Sequence, residues 1–142
     1  MFNEELQQLE GVWSGTEHVS DGADDYHSSA RLVFQSVFDG RFVLCDYMQT
    51  APERPTVFAH GVFRRDDRSK ALTVTWFRFP TAIASQQTHG VAEGDHPIFY
   101  ETVDARTTRT TYAVLRDRLS VSTDRATGDD WQRVFAGTYR RR

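Results

Sequence analysis

Four ionisable side chains stand inside runs that are otherwise apolar or β-branched. Glu17 follows Trp13 by four residues, Asp46 lies within the run 42–49, His60 sits between Phe58 and Val62, and Arg78 follows Trp76 and Phe77. A histidine titrates near neutral pH, and a carboxylate beside it can orient it or act as a base. An arginine or a tyrosine hydroxyl can steady a developing enolate oxygen. His60, Asp46 and Glu17 are therefore the candidate catalytic residues. In a water-poor cavity they would suit cofactor-independent cyclisation, isomerisation or dehydration of a polyketide-like substrate, folded into a reactive shape by aromatic walls. Trp76, Arg78, Phe42, Phe58, Tyr112 and Tyr47 are the candidate ligand-binding residues. Each has a plainer structural role as an alternative. Glu17 can satisfy a basic side chain, His60 can be a hydrogen-bonded core histidine, Arg78 can be a solvated rim residue, and Asp46-Tyr47 can be a hydrogen-bonded pair.

The elements that must hold these residues are strands. Runs rich in β-branched and aromatic residues fall near 11–19, 28–38, 41–50, 56–65, 71–79, 85–93, 97–104, 108–116, 118–124 and 130–140. Turn chemistry separates them: Asp21-Gly22, Asp39-Gly40, Pro52 with Pro55, the polar 65–70, Asp95-His96-Pro97, Asp117 and Thr127-Gly128-Asp129-Asp130. Before the first strand, Asn3 can cap a short helix, Glu4 and Glu5 suit its positive end, Leu6 and Leu9 lie three apart, and Gly11 can stop it. Short connections make sequence neighbours sheet neighbours. An up-and-down meander of this length hides its edges best by closing on itself. The expected fold is all-β: one antiparallel up-and-down barrel of about ten strands over residues 1–142, with a short N-terminal helix. A two-sheet sandwich is the rival; only 50–55 and 80–84 could supply its longer crossovers.

In a barrel every second residue points inward. With Trp13 inside, Gly15, Glu17 and Val19 follow it. On the third strand Phe42, Leu44, Asp46 and Met48 are the expected inner set, because Arg41 and Gln49 belong in water. On the fourth, Phe58, His60 and Val62 are preferred over Ala59, Gly61 and Phe63. On the fifth, Leu72, Val74, Trp76 and Arg78 alternate with Thr73 and Thr75. On the eighth, Tyr112 and Val114 oppose Thr111, Ala113 and Leu115, and the pattern leaves both faces open.

Other chemistries find little footing. The five histidines show no His-x-x-x-His pair and there is no cysteine cluster, so no metal site is expected. His60 alone could serve haem as a proximal ligand. A Gly-x-Ser-x-Gly elbow, a glycine-rich phosphate loop and a βαβ unit are all missing, and no cofactor is expected. A net charge of -3 speaks against nucleic acid. The single cysteine, Cys45, excludes an intrachain disulfide, favours a reducing compartment and suits a small buried hydrophobe. No run approaches the roughly 20 apolar residues of a membrane helix, and the first residues lack a basic-then-apolar leader pattern. The reading is a cytoplasmic protein.

Gly11-Val12-Trp13 after a short helix resembles the opening of lipocalin-like (calycin) barrels. The resemblance implies that Trp13 plugs the closed end under a basic residue of the last strand, for which Arg140 is placed. Trp13-Ser14-Gly15 with His18, Asp46-Tyr47-Met48-Gln49, His60-Gly61-Val62-Phe63, Trp76-Phe77, Trp131 and Tyr139-Arg140 resemble a bacterial lipocalin-like family of unknown function, distantly related to fatty-acid-binding and haem-binding ten-stranded barrels. Arg78-Phe79 departs from it: an Asp and a small polar residue are expected there. The resulting expectation is a cavity for a small, largely apolar or aromatic molecule. The cyclase or isomerase reading is the alternative, and an outer-face protein-contact module or homodimer a third.

Overall fold

The computed structural model describes residues 4–79 and 87–142. Asn3, the 80–84 segment and the start of the 85–93 run lie outside the described residues. A one-turn helix α1 (Glu4–Gln7) leads into β1 (Gly11–Asp21), β2 (Asp24–Val37), β3 (Phe42–Thr50), β4 (Val57–Arg65), β5 (Leu72–Phe79), β6 (Gln87–Glu93), β7 (His96–Val103), β8 (Arg106–Leu115), β9 (Arg118–Thr127) and β10 (Asp130–Arg141). Each strand pairs antiparallel with its chain neighbours, and β10 returns to β1, so the sheet is a closed barrel without a crossover. Closure removes the free edges that a ten-strand meander would otherwise expose. The turns follow local chemistry. Gly22, Gly94 and Gly128 take φ near +60° (63°, 61° and 64°), and Asp104 and Ala105 both have positive φ (50° and 62°), as a type I′ hairpin turn requires.

One end of the barrel is filled. Trp13 is fully buried, and its indole N–H donates to the Leu9 carbonyl at 2.7 Å. Leu6 and Leu9 are buried beside it, so α1 forms part of the floor. The basic residue over the indole is Arg141, not Arg140. Its guanidinium lies 4.2 Å from the Trp13 ring centroid and donates to the Gln8 and Glu10 carbonyls. The register explains the one-residue difference. Arg141 pairs with Trp13 and shares its face, whereas Arg140 pairs with Ser14 and is exposed. Above this floor Phe63 meets Phe34, Trp76, Phe99 and Tyr112 at centroid separations of 5.8, 5.7, 5.6 and 5.7 Å, a four-way aromatic knot that closes the lower half.

The inner faces of β1 and β5 are those expected: Trp13 and Glu17, and Leu72, Val74, Trp76 and Arg78. On β8 the inner set is Tyr112 and Val114. Two faces are reversed. On β3, Val43, Cys45, Tyr47 and Gln49 point inward, and Phe42, Leu44, Asp46 and Met48 outward; on β4, Ala59, Gly61 and Phe63 point inward, and Phe58, His60 and Val62 outward. The reason is propagation of register. Paired residues share a side of the sheet, and the pairing runs Trp13–Leu32–Tyr47–Ala59–Arg78 around the barrel. With Trp13 and Arg78 inside, Tyr47 and Ala59 are inside as well.

Trp13→Ala should empty the floor and cost about 3–5 kcal/mol. Urea unfolding followed by far-UV circular dichroism would show it as a lower midpoint with a preserved slope.

Candidate functional site

Glu17 is the most unusual residue of the interior: 2% exposed, on an inward position of β1. A buried carboxylate is costly unless its oxygens are hydrogen-bonded. Four neutral groups from three other strands reach it. One oxygen accepts from Tyr47 Oη at 2.7 Å, Gln49 Nε2 at 2.9 Å and Ser28 Oγ at 3.0 Å; the other accepts from Tyr139 Oη at 2.5 Å and from Tyr47 Oη at 2.9 Å. Gln49 also donates to the Tyr47 hydroxyl at 3.0 Å. Among the described residues no cation pairs with Glu17. Local sequence explains the geometry. Gly137 is the register partner of Glu17, and a Cβ there would lie 2.1 Å from the Tyr139 hydroxyl. Without that Cβ, the Tyr139 phenol lies back along β10 and meets the carboxylate. Gln49 is inside for the same reason: its amide supplies a donor that water cannot.

Above this network lies a cavity of about 310 Å³. Its wall is mixed. Leu32, Val57, Ala59, Val121 and Phe135 supply aliphatic and aromatic surface beside Trp76, Tyr112, Tyr47 and Tyr139, with Thr110, Thr123 and Arg78 as further polar groups. Gly61 is what lets the Trp76 indole lie flat against β4, since a Cβ at 61 would approach the ring to 2.9 Å. Pairing of β5 with β4 runs to Phe79. Trp76 is half-buried and Arg78 is exposed, with its guanidinium 5.8 Å from the Trp76 ring centroid. Thr110 and Thr123 bond each other at 2.9 Å.

Burial raises the hydroxyl pKa values of Tyr47 and Tyr139 far above the ordinary tyrosine value, and the Glu17 charge adds to the effect; burial dominates for Tyr112 too. All three stay protonated as donors. Burial pushes the Cys45 thiol up as well, which leaves it a packed hydrophobe without nucleophilic character.

The candidate residues divide between two compartments. Glu17, Tyr47, Trp76, Arg78 and Tyr112 belong to the interior. Asp46 and His60 are cross-strand partners on the outer wall, with Nδ1 to Oδ1 at 2.8 Å and side chains 76% and 40% exposed. Phe42 packs edge-on against Phe38, and Phe58 leans on Phe79, also outside. Together with Met48 and Phe77, Phe58 and Phe79 form an exposed apolar surface around the Asp46–His60 pair. The expected joint action of His60, Asp46 and Glu17 in one cavity is thus not what the fold builds, and His60 does not face the interior as a haem ligand would. Among the described residues no group of three metal-ligating side chains occurs. Sequence reasoning passed over Gln49, Ser28, Tyr139, Thr110 and Thr123. For Gln49 and Ser28 the available signal was a polar side chain in phase with inward neighbours, which period-two reading assigns to solvent. Tyr139 was noted only as a neighbour of Arg140.

The raised tyrosines predict a steep alkaline transition. In the unfolded chain a tyrosine loses its proton near pH 10, whereas Tyr47, Tyr112 and Tyr139 hold theirs in the fold. The folded state then binds more protons, so stability is intact below pH 10 and falls above it, by about 1.4 kcal/mol per pH unit per tyrosine. The three together should remove about 4 kcal/mol per unit. Urea midpoints between pH 9 and 11 would measure the slope, and Tyr112→Phe should lower it by a third.

Comparisons with known proteins bear on the fold. The solved structure of Rv2717c from M. tuberculosis is similar to the chain, with a TM-score of 0.71 over 100% of this chain and 99% of that one, at 18% sequence identity. No protein-family profile matches the chain, and no curated protein matches it. The likeness is one of fold, that of this chain's closed ten-stranded antiparallel barrel.

Proposed function

We propose that this protein binds a small, largely apolar or aromatic molecule inside the barrel. The observation that carries the reading is the cavity of about 310 Å³ above the Glu17 network. Small-molecule sites are concave, mostly apolar and provided with a few placed polar groups, and they occur in the mouths of β-barrels. An interior built only for stability would be packed. Here the lower half is packed around Phe63, and the upper half is not. The Glu17 cluster then acts as a polar shelf: its donors are turned toward the carboxylate, and Tyr47 and Tyr139 also line the cavity. Gly11-Val12-Trp13, which resembles the opening of lipocalin-like barrels, agrees with this reading.

No observation favours the cyclase or isomerase alternative, because the histidine it requires stands outside the wall. A carboxylate shielded behind four hydrogen-bond donors suits holding a ligand better than transforming it.

The test is direct. Native mass spectrometry of the purified protein should show an added small-molecule mass. 2-Naphthalenemethanol, a compact neutral aromatic, should bind to the emptied protein in a fluorescence titration. Val121→Trp, which fills the cavity, should abolish that binding, and Gly61→Ala, which pushes the indole inward, should weaken it about tenfold. Binding that Val121→Trp leaves unchanged would place the ligand elsewhere.

A further inference from the structure

Two polar groups of the cavity wall make no hydrogen bond or ion pair among the described residues. Arg78 is exposed, has the Trp76 ring 5.8 Å away, and lines both the cavity and the outer groove that Phe58 and Phe79 share. Tyr112 is 5% exposed, its ring is fixed by Phe63 and Phe99, and its hydroxyl is left without a protein partner. Every other polar side chain of the lining is committed: Tyr47 and Tyr139 to Glu17, Thr110 to Thr123. Tyr112 lines the cavity, and a hydroxyl with no bond to a described residue is free to bond a molecule held there. The two free groups agree in sign. A guanidinium only donates, and burial keeps the Tyr112 phenol protonated, so that it donates too. Arg78 is also close enough to influence the Tyr112 titration. It is the sole charged residue of the described cavity lining.

From this geometry we infer that the cavity selects an organic carboxylate, its apolar or aromatic body against Trp76 and Val121 and its anionic head held by Arg78 and the Tyr112 hydroxyl. The inference rests on the cavity reading above and adds ligand class and orientation to it. Charge complementarity sets both. A carboxylate forms charge-assisted bonds with a guanidinium and a phenol, whereas Glu17, behind Tyr47 and Tyr139, repels an anion from the deeper end. The ligand therefore lies with its body toward the buried end and its head at the solvent-exposed Arg78.

2-Naphthoate and 2-naphthalenemethanol share a ring system and differ in head charge, so the ratio of their affinities reads the head-group contact alone. In the wild-type protein naphthoate should bind at least about tenfold more tightly than the alcohol. Raised salt should weaken naphthoate and spare the alcohol. Arg78→Met, which keeps the stem, should bring the ratio to about one, Arg78→Lys should restore part of it, and Tyr112→Phe should lower it a few-fold. A wild-type ratio near one, with the alcohol still excluded by Val121→Trp, overturns the carboxylate inference and leaves the cavity reading standing. A large ratio that survives Arg78→Met also overturns it. If neither probe binds, or neither responds to Val121→Trp, the cavity reading falls with it. The wild-type ratio and its salt dependence need no variant, so a misfolded Arg78→Met protein would not spare the proposal.

Discussion

A carboxylate buried inside a barrel dictates much of what surrounds it. Glu17 cannot be left dry without donors, and no cation among the described residues reaches it. The solution is distributed. β2 supplies Ser28, β3 supplies Tyr47 and Gln49, and β10 supplies Tyr139, so the carboxylate ties the two strands that flank β1 and one beyond them. Because β1 and β10 are also the strands whose pairing closes the sheet, the network stands at the seam of the barrel. Neutral donors have a consequence that a salt bridge lacks. They leave the two tyrosines protonated, so that neutral side chains line the cavity beside the carboxylate. A registry role for such a buried polar cluster is a known use of otherwise expensive groups.

The interior has two halves with different packing. Below the shelf, Trp13, Phe63 and their neighbours fill space at the density expected of a core. Above it, small residues open space: Ala59 and Gly61 on β4 face Trp76 and Arg78 on β5, and Gly137 gives Tyr139 its path. A cavity of this kind follows as much from missing side chains as from those present. The outer wall follows other rules. Asp124, buried between Arg109 and Arg133, holds β8, β9 and β10 together beside the bulge between Arg133 and Phe135. Burial opposes its charge, and the two guanidinium groups more than offset that, leaving the carboxyl below its ordinary value.

The strand runs and turns were legible because their signals are local. β-branched residues, Asp-Gly pairs and proline act over a few residues, and ten runs joined by short loops leave few topologies. Trp13 and Glu17 on one strand, and Trp76 and Arg78 on another, could be placed because their alternation is clean. The misread faces of β3 and β4 share one cause. Residue type alone assigns Gln49 to solvent, and local alternation then puts Asp46 inside; on β4 alternation by itself favours His60. An amide beside a buried carboxylate belongs inside, and nothing within the strand announces that carboxylate, which lies 32 residues earlier.

The sequence by itself determined what is periodic and local: an all-β chain of ten strands, the positions of its turns, the helix that leads to Trp13, and an interior role for Glu17, Trp76 and Arg78. Only the tertiary structure decided which residues share a compartment. A shift of one residue in pairing turns a whole strand inside out, so the placement of Tyr47 with Glu17, and of Asp46 with His60 on the other side of the wall, depends on registers carried from strand to strand around a closed barrel. Those registers are set by all ten strands at once, because closure must satisfy every pair together, and no single strand contains that information.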